Sequence, residues 1–136
     1  MIKSAGGIVR GIPLKPTKSG VISSDDWKLD EKEFEKLFNH KTKALILNTP
    51  HNPLGKVFTL AELTMIADLC KKHDVLVISD EVYEHMVFEP KSHIRINTLP
   101  DMWERTLTIG SAGKTFSATG WKLGNRYLKS LKCLIF

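Results

Sequence analysis

The sequence predicts an α/β fold with a mainly parallel sheet, and two observations support this. First, residues 43–48 (KALILN) and 75–79 (VLVIS) are short, continuous apolar runs, which are typical of buried strands. Second, residues 59–73 between them carry apolar side chains at helical spacing. Strand, helix and strand in this order form a βαβ unit with parallel strands. Residues 106–110 (TLTIG) supply a third strand of the same kind.

The elements before these strands are predicted to be short. Residues 8–14 (IVRGIPL) are apolar and β-branched, but Pro13 limits them to a peripheral strand. Residues 15–26 are polar and rich in turn formers, which predicts a loop. Residues 30–38 (DEKEFEKLF) have apolar side chains at helical spacing and acids in the first turn, where the helix dipole favours them. We expect a short amphipathic helix there.

The elements of the βαβ unit can be predicted in more detail. The run at 43–48 favours a strand buried on both faces over a half-exposed one. Thr59 and Glu62 have the spacing of a capping box, and the apolar stripe that follows continues to the basic residues before His73. We therefore expect a helix that begins after Thr59 and ends near His73, followed by the strand at 75–79.

Composition and charge limit the class of protein and of partner. The chain has 136 residues, the size of one domain, and its 42% hydrophobic and 26% charged residues exclude a disordered or low-complexity protein. The net charge is +5, but Arg126, Lys129 and Lys132 lie in residues 125–136, which contain no acid. Because the rest of the chain is nearly neutral, we expect no nucleic-acid partner.

Disulfide, metal and membrane sites are not indicated. Cys70 and Cys133 lie far apart with no Cys-x-x-Cys pair, and neither His51 nor His85 has a metal-binding spacing with a carboxylate, so no metal site is expected. No apolar run approaches the roughly 20 residues that span a bilayer, and the N-terminus lacks the apolar stretch of a secretory signal. We expect an intracellular protein with no membrane partner.

Three polar clusters follow the three predicted strands: residues 48–55 (NTPHNPLG), 80–83 (DEVY) and 111–116 (SAGKTF). The carboxyl ends of parallel strands meet at one edge of a sheet, so these clusters are expected to lie together. Taken singly, each has a structural explanation as a turn, a helix cap or a solvated amine. Taken together, their amide, carboxylate, phenol and amine match what pyridoxal phosphate requires of a protein.

The same clusters carry a resemblance to a known family. NTPHNPLG (48–55), SDEVYE (79–84) and SAGKTFSATGWKLG (111–124) resemble the large domain of the fold-type I pyridoxal-phosphate aminotransferases. The sequences of these motifs are most similar to those of the kynurenine aminotransferases, also called cysteine-S-conjugate β-lyases, and among these to the third mammalian type. The resemblance implies that residues 1–124 are part of a mainly parallel-sheet, cofactor-binding domain, and that residues 125–136 are a divergent basic tail.

The resemblance also implies a cofactor, pyridoxal 5′-phosphate, and six residues that hold it. Lys114 would form the Schiff base with the cofactor and later move the proton at the substrate's α-carbon. Asp80 would pair with the pyridinium nitrogen. The remaining four are the partners of the phenolic oxygen, Tyr83 and Asn52, and the ligands of the phosphate, Ser111 and Lys122.

Other residues of the motifs receive weaker assignments. Many members of the family have Arg where this chain has Lys122; Lys binds phosphate as a point charge, so the role survives. Gly120 and Gly124 are expected to let the backbone approach closely. For Glu81 and Glu84, a solvated or salt-bridged role is favoured over catalysis.

Two functions of different class follow. The first, implied by the resemblance, is transfer of an amino group from an amino acid such as kynurenine or glutamine to a 2-oxo acid, with β-lyase activity on cysteine S-conjugates as a second reaction. Members of that family are homodimers and occur in cytoplasm and mitochondria. The second is an inactive, truncated product that acts only as an interaction or dimer partner. Because the family's chains are much longer, we expect residues 1–136 alone not to transaminate.

Overall fold

The computed structural model describes residues 2–20 and 22–127. These residues form a two-stranded and a four-stranded sheet with helices between the strands. The strands are β1 (Lys15–Pro16), β2 (Trp27–Lys28), β3 (Ala44–Asn48), β4 (Leu76–Asp80), β5 (Thr106–Gly110) and β6 (Asn125–Tyr127). The helices are α1 (Glu31–Glu35), α2 (Leu60–Lys72) and α3 (Ala112–Thr115).

The four-stranded sheet confirms the predicted α/β class. Its strand order is β3-β4-β5-β6; the first three strands are parallel, and β6 runs antiparallel to β5. Asn48 at the end of β3 lies opposite Asp80 in β4, and Asp80 lies opposite Ile109 in β5. The carboxyl ends of the three parallel strands are therefore level with one another. The strand β6 lies within residues 125–136, the stretch for which a divergent tail is predicted.

Helix α2 forms where its capping pattern predicts. The Thr59 hydroxyl accepts a hydrogen bond from the Glu62 N–H at 3.3 Å, and the Glu62 carboxylate accepts one from the Thr59 N–H at 2.9 Å. Lys71 and Lys72 occupy the last turn, where cations interact favourably with the helix dipole. In the part of the chain that the structure describes, no helix is both long enough and apolar enough to cross a bilayer.

The hydrophobic core lies between the sheet and the inner face of α2. Because the apolar side chains of α2 recur at helical spacing, one face of the helix is removed from water, which is the main favourable contribution to folding. Phe34 and Phe38, around α1, join this core with their rings edge to face at 5.0 Å. The α2 side chains in the core are those of Leu63, Ile66, Ala67, Leu69 and Cys70.

Three sequence-based predictions are wrong in detail. Residues 8–14 form no strand, and Ile8 is 90% exposed. The predicted loop at 15–26 contains β1, which pairs antiparallel with β2. Strand β3 is not buried on both faces, since Ile46 is 44% exposed. Among the described residues β3 is an edge strand, so one of its sides and part of one face lack a neighbour.

Cys70 should be unreactive in the folded protein. Its side chain is fully buried in the core, and this burial raises the pKa of the thiol to about 12. At pH 8 only about one thiol in ten thousand would be the reactive thiolate. We expect iodoacetamide to label Cys70 in denaturant but not in buffer, as measured by peptide mapping. Equal labelling in both conditions would contradict the burial of this side chain.

Candidate functional site

The candidate site lies at the carboxyl ends of β3, β4 and β5, whose loops are bonded to one another through the backbone. The Asn48 side-chain amide and the Thr49 N–H both donate to the carbonyl oxygen of Asp80, each at 3.1 Å. The Glu81 N–H donates to the carbonyl oxygen of Ile109 at 2.9 Å. The three strand ends are thus fixed relative to each other, as the parallel register requires.

Tyr83 and Lys114 meet at this edge. The Lys114 ammonium lies over the Tyr83 ring, 5.6 Å from the ring centroid, which is cation–π geometry. Asp80 directly precedes this turn, and its carboxylate accepts a hydrogen bond from the Val82 N–H at 3.4 Å. All three of the predicted side chains are half-buried. The carboxylate, the phenol and the amine therefore lie at one edge of the sheet and remain accessible.

The loop after β3 presents Asn52 to solvent. The Asn52 N–H donates to the Asn48 side-chain oxygen at 2.8 Å, which fixes the loop to the end of the strand. On the two sides of Asn52, the His51 N–H donates to the carbonyl oxygen of Lys56 at 2.8 Å. The Lys56 side chain is 2% exposed and bonds to Glu62 in α2 at 2.8 Å. The Asn52 loop is therefore held at both ends.

Ser111 and Lys122 lie on two segments that fold against each other. The Ser111 hydroxyl donates to the carbonyl oxygen of Leu123 at 3.4 Å, and the Gly113 N–H donates to the same oxygen. Lys122 is exposed and has a left-handed backbone, with φ +54°. Such a conformation is uncommon for a residue with a side chain and is often found at functional sites.

The glycine prediction is wrong for Gly120. A Cβ atom there would have nothing within 4 Å, and one at Gly124 would make an ordinary contact of 3.5 Å. Close approach occurs instead at Gly113, where a Cβ would lie 3.2 Å from the Thr119 Cα, and at Gly110, where it would overlap the Asn125 side chain. Gly113 directly precedes Lys114, so its small size lets the following loop pack against α3.

Sequence reasoning missed a buried ionic cluster beside the site. Glu81 is fully buried, where it accepts hydrogen bonds from the Ser79 hydroxyl and from His93 Nε2, each at 2.8 Å. Glu84 accepts from Arg95 Nε at 2.9 Å, and this bond holds the pKa of the Arg95 guanidinium above its usual value. The expected salt-bridged role is confirmed for both acids, but the solvated alternative is wrong for Glu81. The sequence offered no local signal for these contacts, which join residues 11 and 12 positions apart.

This cluster also contains the ligand set of a possible metal site. Ligand atoms of Glu81, Glu84 and His93 all lie within 4.8 Å of one another. The Arg95 guanidinium, however, bonds to Glu84 and lies 3.8 Å from Glu81. Because this guanidinium already supplies the positive charge that the two carboxylates need, the cluster is better described as an ion-pair network.

His51 lies close to the site but is poorly suited to carry a charge. Burial lowers the pKa of its imidazole, and the nearby Lys56 ammonium lowers it further. Its Nδ1 atom lies 3.5 Å from the Leu54 N–H, within the same loop. These contacts indicate a structural role for His51.

A groove of about 810 Å³ lies between α1 and α2, away from the candidate residues. Its walls include Glu31, Glu35, Asp68 and Lys72 together with the apolar side chains of Leu60 and others. None of the six predicted cofactor residues lines it. The candidate residues instead lie at or after the carboxyl ends of β3, β4 and β5.

Comparison with known proteins identifies relatives over most of the chain. A family model described as aminotransferase class I and II matches residues 1–132. Kynurenine–oxoglutarate transaminase 3 of Mus musculus is 62% identical over 126 residues, and the human protein of the same name is 61% identical. Each alignment covers 91% of this chain and 28% of the relative. The chain thus spans little more than a quarter of the length of these curated relatives.

Solved structures of aminotransferase-like proteins have a fold similar to that of this chain. Bna3p of Saccharomyces cerevisiae superimposes with a TM-score of 0.90 at 46% identity, over 98% of this chain and 32% of that chain. Cystalysin of Treponema denticola, whose crystal structure contains pyridoxal 5′-phosphate, has a TM-score of 0.75 at 28% identity, over 79% of this chain and 28% of that chain. The fold of this chain, with its mainly parallel sheet, is therefore shared with part of these longer chains.

Proposed function

Since the chain belongs to the class I and II aminotransferase family, we propose that it is part of an enzyme that uses pyridoxal 5′-phosphate to transfer an amino group from an amino acid to a 2-oxo acid. The observation that carries this proposal is the position of Asp80, Tyr83 and Lys114 at level strand ends, with the Lys114 amine 5.6 Å from the Tyr83 ring centroid. The amino donor that we propose is kynurenine-like, because relatives about 60% identical carry that name.

The residues present fit pyridoxal phosphate by their chemistry. When bound, the cofactor supplies a carbonyl that reacts with amines and a ring that withdraws electrons. Asp80 is the anion that would keep the ring nitrogen protonated, since opposite charges favour the charged form of each partner. Lys114 offers the primary amine that holds the carbonyl and can carry a proton to and from the substrate's α-carbon.

The other four candidate positions bind rather than react. The Tyr83 phenol and the Asn52 amide would donate to the phenolic oxygen, and the Ser111 hydroxyl and the Lys122 ammonium would bind the phosphate. The left-handed backbone at Lys122 and the hydrogen bond from Ser111 to the Leu123 carbonyl bring these two segments together. A hydroxyl and a cation on adjoining segments are a suitable pair for a phosphate.

The lysine assignment can be tested by chemical trapping. Borohydride reduction of the enzyme that contains this chain, with pyridoxal phosphate bound, should fix the cofactor on Lys114, as identified by peptide mapping. Lys114→Ala should show no fixed cofactor. Lys122→Gln is the matched control: it should still be labelled on Lys114, at a cofactor concentration about tenfold higher because one charged phosphate contact is lost. Label on Lys122 or on another lysine would contradict the assignment.

Substrate, partner and location are proposed at a finer level. An assay with kynurenine as the amino donor and a 2-oxo acid as the acceptor would support the transferase assignment if both products form. Release of pyruvate from a cysteine S-conjugate would show β-lyase activity. We propose a homodimer, which sedimentation would detect, and a cytoplasmic or mitochondrial location, which cell fractionation would detect. These last two rest on the family resemblance alone.

A further inference from the structure

The turn that follows β4 carries Tyr83 into the candidate site. It is closed by two backbone hydrogen bonds, from the Glu84 N–H to the Glu81 carbonyl at 2.9 Å and from the Met86 N–H to the Tyr83 carbonyl at 2.8 Å. Two such bonds define the shape of a turn but not its orientation on the sheet. Something else must therefore set the position of the Tyr83 ring relative to the Lys114 amine.

The acids on either side of Tyr83 are both held by one distant segment, residues 93–95. Glu81 bonds to His93 Nε2 at 2.8 Å, and Glu84 bonds to Arg95 Nε at 2.9 Å. His93 and Arg95 are two residues apart, a spacing that places both side chains on the same side of an extended chain, and both reach the turn. Tyr83 thus sits between two anchored positions.

The anchoring segment is itself fixed to the sheet on two sides. Just after it, the Asn97 side-chain amide donates to the Thr108 hydroxyl of β5 at 3.1 Å. On the other side, the Arg95 guanidinium lies over the Tyr127 ring of β6, 5.9 Å from its centroid. The segment therefore connects the Tyr83 turn to the strand that leads into Lys114.

The burial of Glu81 makes the contact between the Tyr83 turn and residues 93–95 specific. The Glu81 side chain has no solvent exposure, and its other carboxylate oxygen accepts the Ser79 hydroxyl at 2.8 Å. A buried carboxylate that loses a donor is left with a charge that water cannot reach, which is costly. The turn accordingly has one favourable position, the one in which Glu81 meets His93.

From this geometry we propose that His93 and Arg95 are positioning residues, which hold Glu81 and Glu84 and so place Asp80 and Tyr83 against Lys114 and its cofactor. The inference rests on the proposed function. A residue that contributes only to stability would lower the melting temperature without changing the site. A positioning residue changes the mobility of the turn and the properties of the amine beside it.

The test compares two Arg→Gln variants of the enzyme that contains this chain. Arg95→Gln removes one anchor of the turn. Arg105→Gln is the matched control, because Arg105 pairs with Asp74 at 3.2 Å near the opposite ends of β4 and β5. His93→Phe is a second variant that keeps the ring volume and removes the hydrogen bond to Glu81. Arg95→Lys serves as the conservative variant that should restore part of the effect.

Two readouts separate positioning from stability. Hydrogen exchange at the Glu84 and Met86 amides should become about tenfold faster in Arg95→Gln and His93→Phe, since each variant loses a charge-assisted hydrogen bond that anchors the turn. The pH midpoint of the pyridoxal phosphate absorption band should shift by about half a unit or more, because the Tyr83 phenol moves relative to the amine. Arg105→Gln should change neither readout.

Each outcome decides between the two claims. A normal band in the unmodified protein, with exchange and midpoint in Arg95→Gln and His93→Phe equal to those in Arg105→Gln, would overturn the positioning role and leave the proposed function intact. The absence of any band or borohydride-fixed adduct in the unmodified protein would overturn the proposed function, and the positioning role with it. Faster exchange and a shifted midpoint in both variants would support the inference.

Discussion

Asp80→Asn should leave the protein folded and able to bind pyridoxal phosphate, while turnover falls about 100- to 1,000-fold. The backbone carbonyl of Asp80, not its carboxylate, joins the strand ends through Asn48 and Thr49. Among the described residues, the carboxylate accepts one long hydrogen bond, from the Val82 N–H. Asparagine has the same shape and can keep that bond, so the substitution removes the negative charge and little else. A pyridine nitrogen without this anion loses its proton more readily, and the ring then withdraws electrons less strongly.

Single-turnover kinetics in the enzyme that contains this chain would measure the effect, with circular dichroism to verify folding. Asp74→Asn is a matched control, because Asp74 lies before β4 at the opposite end of the sheet and is almost fully exposed. Its left-handed backbone, φ +51°, also suits asparagine. Near-normal turnover of Asp80→Asn would remove Asp80 from the site.

Tyr83→Phe should behave differently. It should shift the pH midpoint of the pyridoxal phosphate absorption band more than it changes the turnover rate.

The central strands and α2 could be predicted because their signals are local. Continuous apolar runs at 43–48 and 75–79 form parallel strands, and Thr59 with Glu62 caps the helix between them. The prediction for residues 8–14 was wrong because an apolar run becomes a strand only when a neighbour supplies hydrogen bonds, and no described strand does so here. The exposure of one face of β3 is likewise a property of its place in the sheet.

In the candidate site, too, only the contacts that follow from local signals could be predicted. Asp80, Tyr83 and Lys114 could be placed together because strand ends in a parallel sheet converge, a rule that needs only the order of elements. The pairing of Glu81 with His93 spans twelve residues of irregular chain and depends on how residues 93–95 fold back. No periodicity encodes that contact, so only the three-dimensional structure shows it.

A buried ion pair beneath the Asn52 loop gives the largest expected effect on stability. The Lys56 ammonium bonds to Glu62 at 2.8 Å and lies 5.0 Å from the centroid of the Phe58 ring. Removing one member of a buried pair leaves the other uncompensated, so Lys56→Met should lower the free energy of unfolding by about 2 to 3 kcal/mol. This is below the roughly 3 to 5 kcal/mol expected for a fully buried pair, because the Glu62 side chain remains 15% exposed.

Denaturant unfolding would measure this loss, and pH provides a second signature. Burial raises the pKa of Glu62, but the bonds from Lys56 and Thr59 outweigh it and hold the pKa below the usual 4.5. The ion pair therefore stabilises the protein fully above about pH 4.5, and this contribution is lost as pH falls through the lower folded-state pKa of Glu62.

Three variants test the pair. Lys56→Met should show a smaller acid-induced loss of stability than the unmodified protein. The double variant Lys56→Met, Glu62→Gln should recover part of the stability that Lys56→Met loses. Lys15→Met, which removes an exposed partner of Glu33, should change stability little. If Lys56→Met behaves like Lys15→Met, the buried pair does not hold the Asn52 loop.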